Sequence, residues 1–182
     1  MALLHFVPAN QLSVDQKVRY KELQKECFSS INQAEAEKCF FAEPFGFLFA
    51  SEDGMTVGQS ELFIRKVSFE DRQVLLGGIG GVCVTGLMRN KGVGTQMVQR
   101  CVEILTEKRC EVACLNADIK GHPYGLYHRL GFKVMERKVS FEDIDGRVRY
   151  DGSEMFLPLC SSETFDLIMK SGTTFHMGKG YW

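Results

Sequence analysis

The chain has 182 residues, 45% of them hydrophobic, with 22 Lys and Arg against 23 Asp and Glu. That length and composition suit one packed domain of ordinary size. A formal net charge of −1 gives no electrostatic footprint for nucleic acid or an anionic membrane, and no apolar run approaches membrane-spanning length.

Residues 2–7 read as a short strand. Ser13 with Gln16 three residues on is a capping-box pattern. Val14, Val18, Leu23 and Cys27 follow it at helical spacing, so a helix is predicted over 14–28. A polar, acidic stretch (Gln33, Glu35, Glu37, Glu43) is interrupted by Cys39-Phe40-Phe41 and stopped by Pro44. Strands are predicted over 45–50 and 55–67, antiparallel across the turn Glu52-Asp53-Gly54. After a second turn, from Phe69 to Arg72, the apolar and glycine-rich run 74–84 reads as another strand. A helix over 93–105 follows, with Met97, Val98, Cys101, Val102 and Leu105 on one stripe. The strand predicted over 111–116 lies parallel to the one before that helix, by the right-handed crossover rule. Gly121-His122-Pro123 opens a short helix to Leu130, ended by Gly131. Strands over 132–141 and 155–160 flank a polar loop around Asp143-Ile144-Asp145-Gly146, and Ser161 caps a last helix over 164–170. With no internal repeat and no linker, a single mixed α/β domain over 1–182 is expected.

Seven cysteines stand at 27, 39, 83, 101, 110, 114 and 160. The odd count, the lack of C-x-x-C and an N-terminus too short and too poor in basic residues for a signal peptide point to reduced thiols and a cytoplasmic location. His5, His122, His128 and His176 lack ligand spacing, so no metal site is expected.

The richest stretch is Arg89-Asn90-Lys91-Gly92-Val93-Gly94-Thr95. It joins a strand to a helix start, where free N–H groups and a partial positive charge favour a phosphate. Arg89 and Lys91 add cations. A Walker loop does not fit, because Lys91 precedes Gly92 and no GK[ST] follows. A dinucleotide fingerprint does not fit either, because Cys83 takes the place of the third glycine after Gly78 and Gly80.

The order R-x-x-G-x-G resembles the acyl-CoA pyrophosphate loop of the GNAT superfamily of N-acetyltransferases. Leu126-Tyr127, followed by Gly131-Phe132, resembles that superfamily's second signature. The resemblance implies an α/β (α+β) fold with a mixed, mostly antiparallel sheet and flanking helices, in which a central parallel strand pair splays apart. The pantetheine arm of acetyl-CoA would pair with backbone at Val82, Cys83 and Val84. The loop residues Arg89, Asn90, Lys91, Gly92, Val93, Gly94 and Thr95 would hold the pyrophosphate. Tyr127 would protonate the leaving thiolate. Acetyl-CoA would be the co-substrate and a primary amine of a small molecule the acceptor. A nucleophilic Cys83 is the less favoured reading, because direct transfer needs no covalent enzyme intermediate.

Several relatives carry a glutamate on the strand before the loop as a base acting through water, but Gly78 and Gly80 stand there. Asp118, His122, Asp151, Glu43 and the carboxylate of Trp182 are the alternatives. The C-terminal third, from Asp151-Gly152 through Phe156-Leu157-Pro158-Leu159 to Trp182, resembles the aminoglycoside 2′-N-acetyltransferases, which would put Asp151 and Trp182 against a cationic substrate. It departs from them at Gly180, where they are acidic, and from the wider pattern at Lys120 and Pro123. Two other function classes remain open: an acyl-CoA-binding sensor without turnover, and a protein or peptide N-acetyltransferase. A homodimer rests on analogy alone.

Overall fold

The computed structural model describes residues 2–118 and 123–182. In chain order it forms β1 (Leu3–Pro8), α1 (Val14–Cys27), α2 (Gln33–Cys39), β2 (Gly46–Glu52), β3 (Met55–Phe69), β4 (Arg72–Val84) and α3 (Val93–Glu107). It continues with β5 (Val112–Asn116), α4 (Pro123–Arg129), β6 (Lys133–Val134), β7 (Val139–Glu142), β8 (Val148–Asp151), β9 (Glu154–Pro158), α5 (Ser162–Lys170) and β10 (His176–Lys179). Seven strands make one sheet in the order β1-β2-β3-β4-β5-β9-β6. Every pairing in it is antiparallel except β4 with β5. The remaining three form a small sheet, β10-β7-β8. The mixed, mostly antiparallel architecture with flanking helices is thus the one expected. Among the described residues no helix is long and apolar enough to cross a membrane.

The two faces of the large sheet are covered differently. On one, α3 buries Met97, Val98, Cys101, Ile104 and Leu105 against Leu48, Leu62, Ile79 and Leu115. On the other, Phe63, Val67, Leu76, Cys114 and Phe156 meet α5 and the C-terminal Phe175, Met177, Tyr181 and Trp182.

The helix α1 starts where the capping box puts it. Gln16 N–H donates to Ser13 Oγ at 3.2 Å and Ser13 N–H to Gln16 Oε1 at 2.9 Å. Its expected apolar face is corrected, however: Val14 and Val18 are 76% and 53% exposed, and only Leu23 is buried. The helix instead meets the sheet through polar side chains. Arg19 donates to Thr56 O at 3.1 and 2.9 Å, and Tyr20 and Gln24 reach Glu61 on β3.

Three further differences have local causes. The acidic stretch contains the short helix α2, capped by Asn32 and burying only Cys39, too little apolar surface to show a period. The strand expected over 132–141 is two strands in two sheets. Three charged residues, Glu136-Arg137-Lys138, break its alternation, and Arg137 donates to Thr173 O (2.8 Å), Met169 O (3.4 Å) and Ile168 O beside α5. The loop expected between the last strands contains β8, and the tail contains β10.

One side chain fastens that tail. Arg65, on β3, donates to Gly180 O (3.0 Å), Lys179 O (2.6 Å) and Met177 O, and its guanidinium carbon lies 4.8 Å from the centroid of the Trp182 ring. Hydrogen bonds from a charged donor and a desolvated cation–π contact make this a strong clamp. Arg65→Met is expected to lower the unfolding free energy by about 2–4 kcal/mol and to shift the emission of Trp182, the single tryptophan, to the red in urea titrations. Unchanged stability and emission assign the tail's anchorage to packing alone.

Candidate active site

The parallel pair at the centre of the sheet is short. β4 and β5 register only at Leu76–Val112, Gly77–Ala113 and Gly78–Cys114, although β4 runs on to Val84 and β5 to Asn116. The cause is a bulge. The β3–β4 register slips between Gln59, opposite Cys83, and Glu61, opposite Gly80. Gly81, at φ +55, is the bulge residue. An extra residue bends and twists its strand, so the stretch 82–84 diverges from β5.

The loop follows β4 and leads into α3. Asn90 and Gly92 are left-handed (φ 62 and 82), and Gly92 caps α3 with no side-chain hydrogen bond. The first backbone bond of the helix runs from Gln96 N–H to Gly92 O at 3.1 Å. Val93, Gly94 and Thr95 therefore begin a 15-residue helix with amides that lack an intrahelical acceptor. Val93 is buried and anchors the turn, while Arg89, Asn90, Lys91 and Gly92 are exposed. The Arg89 guanidinium folds back, with Nε donating to Val84 O at 3.1 Å, and Lys91 Nζ lies 3.7 Å from Met88 Sδ.

A cavity of about 970 Å³ opens beside the bulge and is lined by Glu61, Gly80, Val82, Asn116, Tyr127 and Trp182, among others. Tyr127 is 8% exposed and packs edge-on against Phe132, with ring centroids 6.1 Å apart. Burial, and then the neighbouring Cys101, push its phenol up to about 12.

The structure separates the two residues expected against substrate. Asp151 lines an adjoining cavity of about 460 Å³, where its Oδ1 accepts from Asn116 Nδ2 (2.9 Å) and Ser153 N–H (2.6 Å). Trp182 lines the larger cavity but is 6% exposed. Its ring stacks on Phe63 (5.4 Å, 15°) and takes its cation from Arg65. A Cβ on Gly78 would lie 2.4 Å from the indole, which is why β4 is bare there. At Gly180 a Cβ would lie 2.9 Å from Ala42 N, which leaves no room for an acidic side chain.

Of the other carboxylate and imidazole candidates, Asp118 lines the cavity and Glu43 is exposed elsewhere. His122 and Lys120 lie outside the described residues. The expectation of seven free thiols is corrected. Cys27 and Cys83 are joined in a disulfide that ties the end of α1 to β4, so Cys83 has no thiol to act as nucleophile. The two residues are 56 apart in sequence, and only the packing of α1 across β4 brings them together. The all-thiol basis for a reducing compartment goes with it.

Two carboxyls, Glu61 half-buried and Glu154 buried, escaped the sequence. Glu61 carries hydrogen bonds from Tyr20 and Gln24. Glu154, 1% exposed, accepts from the Tyr181 hydroxyl on Oε1, while Oε2 has no partner. Burial pushes Glu154 up to about 8, with Asp151 adding repulsion and the bonds from Tyr181 and Asn116 opposing it. An alternating strand pattern flags each as facing inward only once the register is known.

A family model described as an acetyltransferase (GNAT) domain matches residues 10–135, and the chain belongs to that family. No curated protein matches the sequence. Among solved structures, the GNAT family N-acetyltransferase YhbS from Escherichia coli, in complex with CoA, has a TM-score of 0.60 at 15% identity over 97% of this chain and 88% of its own. Eis1 from Mycobacterium abscessus has a TM-score of 0.59 at 14% identity over 77% of this chain and 33% of its own. A GNAT family acetyltransferase from Brucella melitensis, in complex with acetyl-CoA, has a TM-score of 0.54 at 16% identity over 86% and 88%. The chain spans about a third of the length of Eis1. At these identities the likeness is one of fold.

The raised Glu154 makes stability pH-dependent. The folded chain keeps a proton that the unfolded chain releases. The resulting stabilisation is complete below the ordinary value of 4.5 and is lost as pH rises through about 8. Denaturant titrations from pH 5 to 9 should show stability falling by up to about 1.4 kcal/mol per pH unit. Glu154→Gln should flatten the slope, and an unchanged slope in that variant assigns it to another group.

Proposed function

We propose that this protein transfers the acetyl group of acetyl-CoA to a primary amine of a small molecule. The observation that carries the reading is the shared cavity: the bulged edge of β4, the end of β5 and the Tyr127 ring line one space. Bound acetyl-CoA would supply an activated thioester. Its pyrophosphate would rest on the uncapped amides of Val93, Gly94 and Thr95, with Arg89 and Lys91 swinging onto it. Its pantetheine arm would pair with Val82, Cys83 and Val84, where β4 has left β5. An N–H there would polarise the thioester carbonyl as charge builds on oxygen.

Tyr127 would face the sulfur. With its phenol at about 12, full proton transfer to a thiolate of ordinary pKa about 8.5 runs uphill. Tyr127 therefore acts chiefly by donating a hydrogen bond as the C–S bond breaks. The enclosing tail and α2 favour a small acceptor over a polypeptide. Glu37, Glu61 and Asp118 outnumber Lys21 and Lys25 around the cavity and, with the aromatic Tyr20 and Phe40, suit cationic polyamines, aminoglycosides among them. A second reading, an acyl-CoA sensor, draws on the bare face of β4 at Gly78 and Gly80.

Thiol release from acetyl-CoA against aminoglycosides, polyamines and peptides tests the reading. A small amine should drive turnover. Tyr127→Phe should lower kcat by roughly 10- to 100-fold with the KM for acetyl-CoA unchanged, and an unaltered kcat reduces Tyr127 to a packing residue. Binding of acetyl-CoA with no turnover by any amine favours the sensor. Arg89→Ala combined with Lys91→Ala should raise the KM for acetyl-CoA by about tenfold and leave kcat in place, the pattern of a lost ground-state contact.

A further inference from the structure

Trp182 covers β4 at Gly78 and Gly80, so no side chain on that strand can take a proton from the acceptor. The neighbouring strand supplies a carboxylate instead. Glu61 on β3 stands opposite Gly80 at the bulge, and a Cβ built on Gly81 would lie 3.0 Å from Glu61 Oε1. The carboxylate thus lies over the bulge itself, in the same cavity as Tyr127.

Its setting is built. The Tyr20 hydroxyl donates to Glu61 Oε1, and Gln24 Nε2 donates to the same oxygen at 3.0 Å. Gln24 Nε2 also lies 3.3 Å from the Tyr20 hydroxyl, which locks the two α1 side chains together. The Cys27–Cys83 disulfide pins the end of that helix to β4 just past the bulge. Both hydrogen bonds fall on Oε1, and among the described residues none reaches Oε2. The charged groups sharing the cavity are Lys21 and Lys25 on α1, Glu37 on α2, Asp118 after β5 and the carboxylate of Trp182, whose carbon would lie 3.2 Å from a Cβ on Gly80.

We propose that Glu61 is the general base for the acceptor amine, with Tyr20 and Gln24 as positioning residues. The assignment rests on the acetyltransferase reading above. An alkyl ammonium is mostly protonated at neutral pH and must lose a proton before it can attack. One N–H bond of the ammonium breaks and its proton goes to Glu61 Oε2, directly or through one water. The freed lone pair forms the C–N bond to the acetyl carbon as the C–S bond breaks. The thiolate takes up the second proton lost by nitrogen, with Tyr127 hydrogen-bonded to it, and Glu61 returns its proton to solvent. Burial raises the Glu61 carboxyl above its ordinary range, and the two donated bonds oppose that rise. The balance gives a base stronger than a surface carboxylate yet held in one orientation.

The test is the pH profile of kcat with the best amine of the panel, alongside calorimetric binding of acetyl-CoA. Glu61→Gln keeps the shape and the hydrogen bonds from Tyr20 and Gln24 but cannot accept the proton. We expect kcat to fall about 100-fold or more, the acid limb to vanish and the Kd for acetyl-CoA to stay within about twofold. Tyr20→Phe removes one donor to the carboxylate, so the acid limb should move to higher pH with kcat at its plateau reduced less than in Glu61→Gln. Should Glu61→Gln not fold, that shift decides the matter. Glu61→Gln with wild-type kcat and limb, or Tyr20→Phe with an unmoved limb, overturns the assignment alone. No thiol release by the wild type with any amine overturns the acetyltransferase reading and this assignment with it.

Discussion

The flat contact between the Trp182 indole and a strand without side chains organises this protein. The ring needs Gly78 bare, stacks on Phe63 and lies under Arg65. Arg65 in turn collects the carbonyls of the tail. One wall of the large cavity is therefore made by the C-terminal residues, and the same contact removes any catalytic side chain from β4 at that level. Proton chemistry at that level therefore has to come from a neighbour, and Glu61 on β3 lies over the bulge itself.

The second constraint is the bulge at Gly81. A straight β4 would stay paired to β5 and close the sheet. Bending it leaves the edge at 82–84 unpaired with β5, and Glu61 lines the cavity beside it. Glu61 and Glu154 then differ by surroundings rather than by chemistry. Glu61 has two donors on one oxygen and lines the cavity. Glu154 is sealed behind Tyr181 and is neutral at pH 7. Carboxyls whose environments differ in this way take different roles: Glu154 is a structural group whose titration costs stability, and Glu61 is placed to exchange protons.

What could be read from the sequence was local. The capping box of α1, the stripe of α3, the strand–loop–helix at residues 89–95 and the glycine that ends α4 each depend on neighbours a few residues away. The meander from β2 to β4 was legible for the same reason, since tight turns join β2 to β3 and β3 to β4. The small sheet was not, because β10 meets β7 across the whole C-terminal segment and the signal of β8 is weak at an exposed edge. The disulfide was hidden by the distance between Cys27 and Cys83 along the chain. Glu61 was hidden by register: its strand was found, but the one-residue slip at the bulge decides what it faces, and such slips leave no periodic trace. Trp182 was expected against substrate from the resemblance of the C-terminal third to the aminoglycoside 2′-N-acetyltransferases, and the contact of its ring with Arg65 across the sheet had no signal in the sequence.

If acetyl-CoA occupies the gap between β4 and β5 with its phosphates on α3, backbone hydrogen–deuterium exchange with and without acetyl-CoA will show new protection confined to the amides at 82–84 and at 93–95, with the α5 and small-sheet amides unchanged. Saturable binding that leaves both segments unprotected, or protects residues of the small sheet instead, would contradict it.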